Sequence, residues 1–150
     1  VTSSNALLTL WPLVVWGRNE YNQANIPGGL SNVVAVAAGG SHSLALKADG
    51  TVTAWGYNSH GQTSVPPDLG NVVAVACGSA HALALTAEGH VVAWGDNSQE
   101  QSTVPSDLPP VQAIAAGQSH SLLPPSRRPC CRTPGPMRPP RGGYGSSAER

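Results

Sequence analysis

A spacing of 39 residues runs through the chain. Trp16, Trp55 and Trp94 obey it, as do His42, His81 and His120; Gly39, Gly78 and Gly117; Gln23, Gln62 and Gln101; and Pro27, Pro66 and Pro105. Five kinds of marker that share one period without an insertion define a repeat architecture. Each unit of such a chain stacks on its neighbours because it cannot bury its own faces alone.

One unit runs from Asn32 to Gly70 and the next from 71 to 109. Four short strands fit inside a unit. Val33 to Ala38 is a continuous small-apolar run, as expected of a strand covered on both faces. Gly39 and Gly40 end it, and His42 to Leu46 forms the second strand. Ala48-Asp49-Gly50 and Ala87-Glu88-Gly89 read as hairpin turns, with glycine supplying the positive φ. Val52 to Trp55 is the third strand, and a polar loop from Tyr57 to Gln62 follows. Thr63 to Val65 gives a short outer strand stopped by Pro66, which cannot donate to a ladder. Four strands in about 40 residues is the size of a propeller blade. The fold class is therefore all-β, a partial β-propeller of about three four-stranded blades over residues 13–123. The tryptophans are expected to fill the space between blades.

Composition agrees. Phe is absent, Gly (17) and Pro (14) are abundant, and only 11% of residues are charged, a mix suited to short strands and tight turns. The charge is unevenly placed. Residues 1–123 hold two basic residues, Arg18 and Lys47, against seven acids, a net −5. Arg127, Arg128, Arg132, Arg138, Arg141 and Arg150 give the rest +5 after one acid. An acidic body disfavours nucleic acid, whose phosphates need clustered Lys and Arg. No run of 18 apolar residues reads as a membrane helix. Ala6 to Val15 has the look of a signal core but no basic stretch before it; residues 1–12 are read as a degraded start of a first blade, with Ser3 where a repeat His is due. The repeat stops after Ser119-His120-Ser121-Leu122. Residues 124–150 hold seven of the 14 prolines and are read as a disordered Pro/Arg-rich tail. The whole is expected to be a piece of a longer ring, and its open faces to promote self-association.

The phrases Ala35-Val36-Ala37-Ala38-Gly39, His42-Ser43-Leu44-Ala45-Leu46, Asp49-Gly50, Ala54-Trp55-Gly56-Tyr57-Asn58, Gly61-Gln62 and Val65-Pro66 together resemble the regulator of chromosome condensation (RCC1) repeat in its short bacterial form. The next unit repeats them through Ala74-Val75-Ala76-Cys77-Gly78, His81, Trp94-Gly95 and Gln101. Residues 13–30 match through Val15-Trp16-Gly17-Arg18-Asn19. WD40 repeats are the nearest competitor, but here Gly17, Gly56 and Gly95 follow the tryptophans where those repeats place Asp. The resemblance implies a ring, usually of seven four-stranded blades.

The in-phase histidines His42, His81 and His120 are assigned a structural role, hydrogen-bonded to nearby backbone and too far apart for one metal ion at bonds of about 2 Å. His60 and His90 are out of phase and read as solvated. Asp96-Asn97-Ser98 starts like a calcium loop but lacks the later bidentate Glu; Asn19, Asn58 and Asn97 read as turn formers. No nucleophile elbow, phosphate loop or paired carboxylates appear in varying loops, so no enzyme, cofactor or metal is expected.

In repeat proteins the varying positions carry specificity. The loop after Trp-Gly varies most: Arg18, Glu20 and Tyr21; then Tyr57, Ser59 and His60; then Asp96, Ser98 and Gln99. These are the candidate contacts for a protein partner, with Tyr21 and Tyr57 as anchors. The structural set is the tryptophans, the in-phase histidines, Gly39, Gly78 and Gly117. A non-catalytic binding scaffold is the leading reading. Guanine-nucleotide exchange on a small GTPase, known in eukaryotic relatives, ranks lower because their longer repeats and inserted elements are not visible. Inhibition of a secreted enzyme such as a β-lactamase also ranks lower, because the turns Gly40-Ser41, Ser79-Ala80 and Gln118-Ser119 offer no aromatic rim.

Overall fold

A computed structural model describes residues 13–124. The expected blade remnant at 1–12 and the expected tail beyond residue 124 lie outside the described residues. Eight strands are present: β1 (Val33–Ala38), β2 (His42–Lys47), β3 (Val52–Gly56), β4 (Val72–Cys77), β5 (His81–Thr86), β6 (Val91–Gly95), β7 (Ala115–Ala116) and β8 (Ser121–Leu122). They make three antiparallel sheets in chain order: β1-β2-β3, β4-β5-β6 and β7-β8. The first two have matching registers, with His42 opposite Gly56 and His81 opposite Gly95.

The expected fourth strand is not formed. Pro66 ends the segment as anticipated, yet the deciding cause lies eight residues before it, at Asn58. The Asn58 Oδ1 accepts the N–H of Thr63 at 2.9 Å, Gly61 O accepts that of Ser64 and Thr63 O that of Val65. With its donors taken inside the loop, the segment has none left for a ladder with β3. The next unit repeats the device through Asn97 and Ser102 at 3.0 Å.

Strand alternation builds the core. On the first sheet the rows Ala35, Leu46, Val52 and Ala37, Leu44, Ala54 share one face. On the second sheet the rows Val75, Ala84, Val92 and Cys77, Ala82, Trp94 share one. These two faces pack together, with Leu44, Leu46, Val72, Ala82, Ala84 and Trp94 buried at the joint. A fully buried Leu contributes about 1.5–3 kcal/mol, and Leu44 and Leu46 both reach that limit. Backbone bonds also span the units: Gly40 N–H to Ser79 O at 3.2 Å and Val72 N–H to Gly50 O at 3.1 Å, repeated at Ser79–Gln118 and Val111–Gly89.

One expectation about coverage needs correction. The run Val33–Ala38 is not buried on both faces but alternates, with Val36 54% exposed, because only one face of the first sheet meets another sheet. Val34 and Val73 are exposed for a different reason. Each sits at a register break, where the pairing skips it as a bulge.

Candidate functional site

The loops after β3 and β6, with the corresponding loop before β1, form a crown at one end of the sheets. Each is tied by the same side chains. Asn19, Asn58 and Asn97 accept the N–H five residues on, at 2.9, 2.9 and 3.0 Å. Gln23, Gln62 and Gln101 accept the N–H two residues back, at 2.8, 2.9 and 2.7 Å. The Gln main-chain oxygen is then presented to the following unit: Gln23 O receives the Trp55 indole N–H at 2.9 Å and the Ser43 hydroxyl at 3.0 Å, and Gln62 O receives the Trp94 indole at 3.1 Å. The sequence marks these Gln positions by their period, but not that they join units.

This holds successive loops in contact. Tyr21 and Tyr57, from different units, lie with ring centroids 4.4 Å apart and planes tilted by 48°; Tyr57 and His60 lie 6.5 Å apart. Tyr21 is 41% exposed. Arg18 forms an exposed ion pair with Glu20, which raises the guanidinium pKa and lowers that of the carboxyl mainly through their hydrogen bond. Ser59 Oγ meets His60 Nδ1 at 2.8 Å. Asp96 accepts the Ser98 N–H at 3.0 Å and the Gln101 amide at 2.9 Å; its pKa is lowered, first by the Ser98 backbone N–H. Asp96 is thus spent on fixing its own loop. Gln99 and Ser98 are exposed beside it. The crown brings the first two residue sets together around the tyrosines, and the Asp96 set continues the row.

The structural residues divide. Trp94 is buried and Trp55 partly so, as expected between blades, whereas Trp16 is 84% exposed: no described sheet lies on its side. His42 and His81 are 1% and 0% exposed, His120 exposed. The expected histidine hydrogen bonds to backbone are not found. Both ring nitrogens of His42 and Nδ1 of His81 lack partners. Burial therefore pushes His42 down to about 4, helped by the neighbouring His81; His81 is lowered by burial too. What seats these rings is glycine. A Cβ on Gly39 would strike the His42 ring and come within 2.7 Å of Gly78 O, and Gly78 and Gly117 stand likewise to His81 and His120. Among the described residues no cluster of three or more metal-ligating side chains exists, and no helix is long and apolar enough to cross a membrane.

One pair has the look of chemistry. Ser121 Oγ lies 3.3 Å from His81 Nε2. The serine donates, however, to Gln101 O at 2.7 Å, and His81 Nδ1 has no partner to orient the ring. A nucleophile needs its proton aimed at the base and the base held by a third group, and neither condition is met.

Residues 33–62 and 72–101 match the family described as the regulator of chromosome condensation (RCC1) repeat. These two units are RCC1 repeats. The RCC1 match covers the two complete sheets and their crown loops, and it agrees with the fold of known structures. Prp20p from Saccharomyces cerevisiae aligns at 21% identity with a TM-score of 0.61, over 74% of this chain and 38% of that one. Human WBSCR16 aligns at 23% and 0.63, over 73% and 39%. The ectodomain of the receptor kinase CR4 from Physcomitrella patens aligns at 27% and 0.63, over 75% and 33%. The chain thus spans between a third and two fifths of the length of these structures. No curated protein matches it.

Proposed function

We propose that this RCC1-repeat chain is a non-catalytic protein-binding module and that its contact surface is the loop crown around Tyr21 and Tyr57. The observation that supports this most is the contact of those rings, 4.4 Å apart with Tyr21 exposed and Tyr57 half-buried, on loops whose backbones are tied by Asn and Gln side chains. Aromatic groups already ordered before binding cost little conformational entropy and make good anchors. The crown's charges are Arg18, Glu20, Asp96 and Glu100, so the surface is acidic and suits a basic segment. Prp20p, which has this fold, was described with its binding to Gsp1p and histones, and that supports a binding role.

The test is selection of displayed peptides on the full chain, followed by affinity measurement against Tyr21→Ala and Tyr57→Ala. Loss of roughly tenfold or more in both variants, with enrichment of Lys and Arg in the peptides, is expected. Ligands indifferent to both substitutions sink the assignment.

A further inference from the structure

The crown has a chemical counterpart in the same chain. Residues 132–141 read Arg-Thr-Pro-Gly-Pro-Met-Arg-Pro-Pro-Arg, with a Pro-x-x-Pro spacing at Pro136 and Pro139 and arginines on either side. Proline fixes φ near −65° before any contact is made. Such a sequence loses little freedom on docking, and aromatic side chains are the surface that recognises it. Its arginines call for carboxylates nearby.

The crown presents both. Tyr21 and Tyr57 lie 4.4 Å apart, and the row continues to His60, 6.5 Å from Tyr57. His60 stands near enough to Asp96 to help lower its carboxyl pKa, so the loops of three units make one surface. Arg18 is taken by Glu20, and the crown's net charge therefore rests on Asp96 and Glu100. Over the whole chain, residues 1–123 carry a net −5 and residues 124–150 a net +5. Opposite charge draws the two parts together.

We propose that residues 134–141 dock on the crown of their own chain, with Pro136 and Pro139 against Tyr21 and Tyr57, and with Arg138 and Arg141 toward Asp96 and Glu100. Bound as polyproline II, with three residues per turn, the segment sets its two prolines along one edge and its two arginines along the next. The reach is sufficient. Ser121 is fastened to the crown through Gln101 O at 2.7 Å, and the ten residues from 124 to 134 span up to about 30 Å. Neighbouring sheets pack about 10 Å apart, so the segment crosses two joints with length to spare. The docked segment is an internal competitor that an outside basic partner must displace, a consequence that rests on the crown being the partner surface. For a dissociation constant of about 0.1 mM in trans, an effective concentration on the order of 1 mM masks the crown about tenfold.

The test titrates a labelled synthetic peptide of residues 132–141 with the full 150-residue chain in reducing buffer, read by fluorescence anisotropy. The parent is compared with Arg138→Ala, Arg141→Ala and with Arg127→Ala, Arg128→Ala, which removes equal charge outside the segment. The peptide is expected to bind the first variant about tenfold tighter than the parent and the second within about twofold of it. Adding Tyr21→Ala to the first variant should weaken the peptide roughly tenfold. Equal affinity for the parent and the first variant, an equal gain in the second, or indifference to Tyr21→Ala overturns the proposal. A basic peptide selected on the crown is titrated in parallel. If it binds through Tyr21 but gains nothing from the first variant, the internal docking falls and the crown stands as a partner surface. If both peptides ignore Tyr21→Ala, the crown falls with it.

Discussion

The indole N–H of Trp94 donates to the main-chain oxygen of Gln62 at 3.1 Å, across the joint between two repeats. Thirty-two residues separate the partners, so the bond welds units rather than strands. Trp94→Phe keeps most of the packing but orphans the buried carbonyl, a loss of about 1–3 kcal/mol; Trp94→Ala adds a cavity and costs about 3–5 kcal/mol. Urea unfolding measures both. Equal stability of the Phe variant and the parent would remove the hydrogen bond from the account.

Glycine 78 has a steric reason to exist. A Cβ there collides with the His81 ring and comes within 2.6 Å of Gly117 O. Gly78→Ala is expected to destabilise by about 1–3 kcal/mol, as overpacking does, whereas Gly28→Ala, with nothing within 4 Å of its Cβ, stays within about 0.5 kcal/mol. Gly78→Ala with His81→Ala recovers only part of the loss, because the carbonyl of Gly117 remains in the way. Thermal melts of the four proteins distinguish these outcomes.

These two cases show what could be read beforehand. Strands β1 to β6 were legible to within a residue because period, hairpin turn and β-branched runs all act locally. The glycine–histidine seat was legible as a coincidence of period, not as a contact: Gly39 and His42 lie three apart in sequence, and only the bend after β1 folds the ring back onto the α-carbon. The outer strand misled because Asn58 reads as a turn former, and nothing in its type says that it will take the N–H of Thr63. The exposure of Trp16 depends on what packs beside it, which no property of residue 16 contains. Tyr21 and Tyr57 stand out in the sequence by their variability, and their contact follows from the Gln23–Trp55 weld beneath them.

Glu100 occupies the left-handed region with φ of 60°, where the unit before has Gly61 at 77°. A side chain with a Cβ costs about 1–2 kcal/mol there. Glu100→Gly is therefore expected to stabilise by up to about 1 kcal/mol despite the added freedom of the unfolded chain. A lower denaturation midpoint in that variant contradicts the strain argument.

Acid should loosen the sheets before carboxylates titrate. His42 is held at about 4 by burial, against an ordinary 6.5. As pH falls through 6.5 the unfolded chain takes up a proton that the folded chain refuses until near 4. The unfolded state then binds more protons, so stability is full above about 6.5, declines across that window and levels off below it. His81, lowered for the same reason, steepens the decline. His42→Gln should flatten the slope of unfolding free energy between pH 6.5 and 4; an unchanged slope would assign the acid sensitivity elsewhere.

Cys77 offers a direct view of the joint. Its thiol packs against the buried cluster between the first two sheets, and burial pushes its pKa up to about 12. The thiolate is the reactive form, so the folded protein should label slowly, at a rate set by opening of the joint rather than by the reagent. In a Cys130→Ser, Cys131→Ser background, labelling is expected to accelerate across the urea transition. Adding Trp94→Phe, which removes one tie between the same two sheets, should accelerate it already in native buffer. Labelling at the rate of an unhindered thiol without denaturant would mean that the sheets part freely, and that the weld at Gln62 does not hold them.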